Sequence, residues 1–260
     1  LSVWWGYSGN HYNDQTIKQL SQFYINRLRG LIDHCCQDNI FGYTASDFNI
    51  VSINQMVLDE VFGNISGIDE IYPLSPMQSG LLFQSIYAPD SDAYFVQSIF
   101  ELGEVDSTAL KDAWQKVTNH YPILRTGFVW EKLDEPLQYV LDKVAVNFVE
   151  HDWKQLTEEQ QLSDLEDLIQ GDRRKGFDLT KAPLFRLQLI KSNSSKHYLI
   201  WSQHHILVDG WCLPIILRDV FQAYESIRKG RPVQLHTSKS YSEYIAWLQR
   251  QDINEAEAFW

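Results

Sequence analysis

Residues 197–230, HYLIWSQHHILVDGWCLPIILRDVFQAYESIRKG, decide how the chain is read. HYLIWSQ is rich in aromatic and β-branched residues, predicts a strand, and runs without a break into His204, His205, Ile206, Leu207, Val208, Asp209 and Gly210. From Trp211 the period changes: Leu213, Ile216, Leu217, Val220, Tyr224 and Ile227 share one helical face, with Gly230 beyond its end. Pro214 fits because it falls in the first turn. Strand, tight loop and helix therefore follow in order, and a loop on rigid flanks is good ground for a catalytic group. A neutral imidazole can hold or deprotonate a nucleophile once a second hydrogen bond fixes its ring. In extended backbone His204 and His205 point to opposite sides, so one faces a cleft while the other packs and orients. Asp209 is expected to fix the loop, above all through a buried arginine, and Gly210 to permit a backbone angle or close approach that a side chain forbids. Adjacent histidines at a strand end are also ordinary core residues, so the pair alone decides nothing.

Working outward, LFRLQLIKS (184–192) and HYLIWSQ flank SNSSK, which predicts a hairpin. Upstream, Ser75, Pro76 and Gln78 of YPLSPMQSGLLFQ take the N-cap, N1 and N3 places of a capping box. YFVQSIFEL predicts a strand and STALKDAWQKV a helix with Leu110, Trp114 and Val117 on one face; RTGFVWE, PLQYVLD and NFVEHDW predict strands, and TEEQQLSDLEDLIQ a polar helix. The alternation predicts an α/β (α+β, two-layer) fold, a mixed sheet covered by helices. Tyr241, Tyr244 and Trp247 recur at helical spacing as one packed face. Residues 1–50 predict one aromatic strand and a long amphipathic helix carrying Ile17, Leu20, Tyr24, Leu28, Leu31 and Ile32, with Trp4 and Trp5 in a core. Residues 51–68 show a short helical pattern around INQMVLDEVFG but carry too little apolar mass for a core, and are expected to be a linker before a domain over 69–260.

A net charge of −12 leaves no basic surplus for phosphates, which argues against nucleic acid or an anionic membrane as partner. Three cysteines, two adjacent and none in a CxxC pair, supply neither a disulfide framework nor a metal site, and fit a reducing cytoplasm. No apolar run approaches the ~20 residues that span a bilayer. The chain has no initiator Met, and both ends are expected to be cuts in a longer polypeptide.

The HHxxxDG string in its strand-loop-helix setting resembles the signature of the condensation domains of nonribosomal peptide synthetases, relatives of chloramphenicol acetyltransferase. Four further segments match that family's motifs in order: YPLSPMQSGLLFQ, HYPILRTGF with Arg125, FDLTKAPLFR, and YSEYIAW followed by AEAFW. The resemblance implies a chloramphenicol acetyltransferase-like lobe over 69–260, with most of the second lobe absent, and a fragment that is catalytically silent alone. It makes His205 the active-site residue, either as general base or as positioner of the attacking amine. Positioning is favoured, since an aminoacyl amine of pKa ~8 is already partly neutral at neutral pH. His204 and Gly210 belong to the motif, Asp209 is its structural aspartate, Arg125 that aspartate's partner, and Cys212 a buried small residue rather than a nucleophile.

The implied reaction joins an upstream peptidyl or aminoacyl thioester to a downstream aminoacyl amine. Both ride on phosphopantetheine arms of carrier domains, so the domain binds no cofactor or metal directly; an adjacent adenylation domain is the further expected partner. LSVWWGYSGNHYNDQTIKQLSQFYINRLRGLIDHC with GYTASDF resembles the end of an epimerization or related condensation-type domain. Epimerization, a coenzyme A-dependent acyltransferase and a noncatalytic carrier-docking domain are the alternatives.

Overall fold

A computed structural model describes residues 3–37, 42–88, 91–192 and 196–252. The chain divides into two compact units, residues 1–43 and 44–260. In the first, helix α1 (Asp14–Cys35) is capped by the Asn13 side chain, which accepts from the Gln15 amide, and none of its residues is buried. The predicted strand is not formed: residues 3–8 have no regular structure, since no ladder partner is present among the described residues, and Trp4, expected in a core, is 92% exposed. Residues 1–2, which open that expected strand, and 253–260, which carry AEAFW, lie outside the described residues.

In the second unit, helix α2 (Gln55–Phe62) follows a short 3-10 turn at Ala45–Asp47. It corrects the linker expectation for 51–68: Leu58 and Phe62 are fully buried, and Phe62 meets the Tyr139 ring edge-on at 6.3 Å. Two apolar side chains one helical turn apart suffice for a single packed face, which a count of apolar mass overlooks.

Strand β1 (Ile68–Pro73) leads into α3 (Pro76–Tyr87), whose Ser75–Gln78 capping box forms as the sequence predicts. Then come β2 (Phe95–Leu102), α4 (Ser107–His120), a 3-10 turn at Pro122–Arg125, and β3 (Thr126–Val129), β4 (Leu137–Leu141) and β5 (Phe148–Asp152). Helix α5 (Glu158–Lys175) precedes β6 (Phe185–Lys191), β7 (His197–His204), α6 (Cys212–Arg228) and α7 (Tyr241–Leu248). β1, β4 and β3 form an antiparallel sheet; the second sheet, ordered β2-β7-β6-β5, is mixed, because β5 runs parallel to β6 while β6 and β7 make the expected antiparallel pair.

Strand β7 is central and buried along nearly its whole length, which is why its sequence is apolar rather than alternating. On one face Trp201 packs against Trp114 of α4 at 4.9 Å between ring centroids, with α6 completing the layer through Ile216 and Val220. On the other face Ser202 and His204 look toward α5 and α3. The packed-face expectation for α7 is only partly met: Ser242 and Ile245 are the buried residues, whereas Tyr244 and Trp247 stack on each other in the open. Glu70 of β1 accepts from the Ser242 hydroxyl at 3.0 Å and so turns that side inward.

Phe62→Ala is expected to destabilise the second unit by about 3–5 kcal/mol, the cost of emptying a core aromatic site. Urea unfolding checks it; an unchanged midpoint would return residues 51–68 to the role of linker.

Candidate functional site

The histidine motif begins where β7 runs out. The His204 amide donates to Leu184 C=O at 3.0 Å and the His205 amide to Tyr94 C=O at 2.8 Å, so both backbones are tied to neighbouring chain as the strand turns into the loop. The two side chains diverge as alternation requires. His205 is half-buried, and its Nδ1 lies 2.8 Å from Val208 C=O. A carbonyl only accepts, so Nδ1 carries a proton, and in the neutral form of the ring Nε2 is the acceptor, to which no described residue hydrogen-bonds. Here the loop itself supplies the tautomer lock.

His204 is buried, with its ring 6.2 Å from that of Tyr94. Burial, then the neighbouring His205, pushes its pKa from 6.5 down to about 4. It borders a cavity of about 830 Å³ whose walls include Ser85, Tyr94, Trp130 and Phe177. His205 is not among the cavity's lining residues.

The expected brace between Asp209 and Arg125 is not what forms. The exposed Asp209 carboxylate accepts from the amides of Trp211 and Cys212 at 3.0 and 3.1 Å, bracing the turn that leads into α6. The Cys212 thiol and those amides hold its pKa below the usual carboxylate range. Arg125 is buried at the other sheet, where it donates to Leu141 C=O and lies 3.9 Å from Asp69. Backbone amides two and three residues away satisfy an aspartate at no long-range cost, and they replace the arginine. Gly210 also departs from expectation: its backbone is not left-handed, and a Cβ added there would meet nothing within 4 Å. With Trp211, 85% exposed, it fronts open space. Cys212 is half-buried, and burial raises its thiol pKa, against a nucleophilic role.

A second assembly supports the cavity; of its members only Phe177 and Arg186, the two ends of FDLTKAPLFR, fall in a motif the sequence showed. Asp172 of α5 is buried and accepts from Arg186 Nε, the Ser202 hydroxyl and, at 3.0 Å, Gln97 Nε2. Gln97, Ser202 and Arg186 are cross-strand partners on β2, β7 and β6. Arg186 Nη1 also donates to Gly176 C=O at 2.7 Å, and its guanidinium lies 4.3 Å from the Phe177 ring centroid. Gly176, at φ 56°, ends α5 in a conformation that favours glycine, and the bend delivers Phe177 to the cavity wall. A charged residue inside the apolar strand FRLQLIK was the available signal.

The model of the family described as Condensation domain matches residues 68–260. A linear gramicidin synthase polypeptide of Brevibacillus parabrevis is 36% identical over 260 residues, all of this chain and 3% of the relative. Bacitracin synthase 3 of Bacillus licheniformis is 38% identical over 251 residues, 96% of this chain and 4% of the relative. The chain thus spans a small part of these curated relatives, and the gramicidin synthase match takes in both units. Among solved structures, the starter condensation domain of rhizomide synthetase superposes with a TM-score of 0.64 at 22% identity, covering 73% of this chain and 48% of that one. The epimerization domain from the third module of tyrocidine synthetase B gives 0.58 at 22% identity, covering 68% and 40%. At such identity these likenesses show the fold alone.

Acidification from pH ~6.5 to ~4 is expected to weaken the fold by an amount on the order of 3 kcal/mol from His204 alone, because the unfolded state takes up the proton first. Denaturation midpoints across that range, compared with His204→Gln, check it; equal slopes would refute it. Arg186→Met is expected to cost about 3–5 kcal/mol by stranding a buried carboxylate, and Asp172→Asn in the same chain to recover part of that loss in urea unfolding. With the family model matching residues 68–260, the fold shared with solved condensation domains, and the HHxxxDG loop in place at the end of the central strand, the chain belongs to the condensation domain family of nonribosomal peptide synthetases.

Proposed function

We propose that this chain supplies the histidine-motif part of a domain that forms a peptide bond between two carrier-borne substrates. The acceptor amine attacks the donor thioester carbonyl: a C–N bond forms, the C–S bond breaks, and the amine proton passes to the departing sulfur. The observation that carries the reading is the His205 ring, locked by its Nδ1–H bond to Val208 C=O with Nε2 left bare. Such a nitrogen can accept a hydrogen bond from the amine, aim its lone pair, and take the proton as the tetrahedral intermediate collapses. Positioning and base roles are then two moments of one contact. Asp209 serves by bracing the turn that leads into α6, and His204 by packing under the loop, so neither touches the reacting atoms.

The substrates arrive on phosphopantetheine arms of carrier domains, and the domain itself brings no cofactor to the reaction. Adenylation domains of the same assembly line load those carriers. The upstream unit is read as the tail of an epimerization or condensation-type domain, supported by the unbroken match of all 260 residues to a multidomain synthase.

The test uses the chain extended to the length of a complete condensation domain, with donor and acceptor carrier proteins loaded with D- or L-aminoacyl donors. Mass spectrometry is expected to show dipeptide from the wild type and a loss of about 10²–10⁴-fold in His205→Ala, the usual worth of a positioned acid–base group. Residues 1–260 alone are expected to give no product. Inversion of a loaded aminoacyl group without dipeptide would replace condensation by epimerization.

A further inference from the structure

We propose that Ser85 is a positioning residue for the histidine motif: its hydroxyl holds His204 as the ring protonated on Nε2, leaving His205 as the motif's free proton acceptor. The catalytic consequence rests on the reading of His205 above, whereas the tautomer stands on geometry alone.

Ser85 lies in the last turn of α3, which the Gln78–Gln138 amide pair anchors to β4 at 2.8 and 3.1 Å. Its Oγ is 2.8 Å from Leu81 C=O one turn back. The carbonyl can only accept, so the single hydroxyl proton is committed there. What Ser85 Oγ offers to His204 Nε2, 3.4 Å away, is a lone pair, and the ring nitrogen must be the donor. On the far side of the ring the Ile206 amide, which can only donate, lies 3.2 Å from Nδ1. Two independent contacts therefore demand the same tautomer, the reverse of the one that Val208 imposes on His205.

The ring stays neutral because burial and the adjacent His205 both oppose a charge. Around the cavity, Arg173 is paired with Asp92 at 2.8 Å, and Arg174, Lys175, Glu131 and Asp178 complete the charged lining; none of them hydrogen-bonds to the His204 ring among the described contacts. Without an acceptor at residue 85 the Ile206 amide alone would favour this tautomer, and the ring would spend part of its time with a bare nitrogen toward the cavity, a second base beside His205.

Long-range ¹H–¹⁵N spectra of the ¹⁵N-histidine-labelled chain, with His204 assigned by the loss of its signals in His204→Gln, read the tautomer directly. Between about pH 5 and 8 the wild type is expected to show His204 protonated on Nε2 and bare on Nδ1. Ser85→Ala, which leaves the Ile206 amide as the remaining constraint, is expected to shift both nitrogens measurably toward averaged values. Ser85→Thr, which keeps the hydroxyl and its bond to residue 81, is expected to restore the wild-type pattern. A wild-type His204 protonated on Nδ1, or an unchanged single tautomer in Ser85→Ala, overturns the proposal. The wild-type spectrum decides even if a variant fails to fold, and the readout needs no turnover, so failure of the condensation reading would be seen separately in the dipeptide assay.

Discussion

A carboxylate under the sheet organises this molecule. Asp172 is removed from water, and a lone buried charge there would be prohibitive, so three strands each send it a donor: Gln97 from β2, Ser202 from β7 and Arg186 from β6. The same arginine closes the end of α5 by reaching the Asp172 and Gly176 carbonyls. Helix, sheet and the turn between them are thereby held in one register. His204 is two residues beyond Ser202 on the same face of β7, so the histidine motif inherits its placement from this charge.

The two imidazoles occupy different chemical worlds although they are adjacent. One is sealed between a serine hydroxyl and a backbone amide; the other keeps one nitrogen free at the mouth of the loop. Strand alternation makes the separation automatic, and local hydrogen bonds, with no second ionised group, decide where each proton sits. A motif of two histidines thus holds two opposite tautomers side by side.

Much of this was legible in the sequence because it depends on neighbours along the chain. The change of period after His205, the Ser75–Gln78 cap and the β6–β7 hairpin are local patterns, and each stands in the structure as expected. What was hidden depends on neighbours in space. Asp172 sits in a helix rich in acids, DLEDLIQGDRRK, where nothing distinguishes the one that turns inward. Leu58 and Phe62 did not read as core in the sequence, yet both are fully buried, and β4 brings Tyr139 against Phe62. Arg125 and Asp209 were paired through the family resemblance, and the chain met both needs closer to hand. The comparisons establish the family, while the roles of His205 and of the other site residues rest on the geometry argued above.

The central position of β7 also bears on how the chain comes into being. Phe95 of β2 pairs with His204 across more than a hundred intervening residues, and β5 reaches the sheet only through β6. During synthesis, then, β2 must wait as an open edge while α4, β3, β4, β5, α5 and β6 emerge, and the strand bearing the histidines is the last of its sheet to be made. Assembly of the four-stranded sheet coincides with delivery of its histidine loop, so nascent chains halted short of residue 204 carry an incomplete sheet and an exposed strand edge, the kind of species that ribosome-associated chaperones shield.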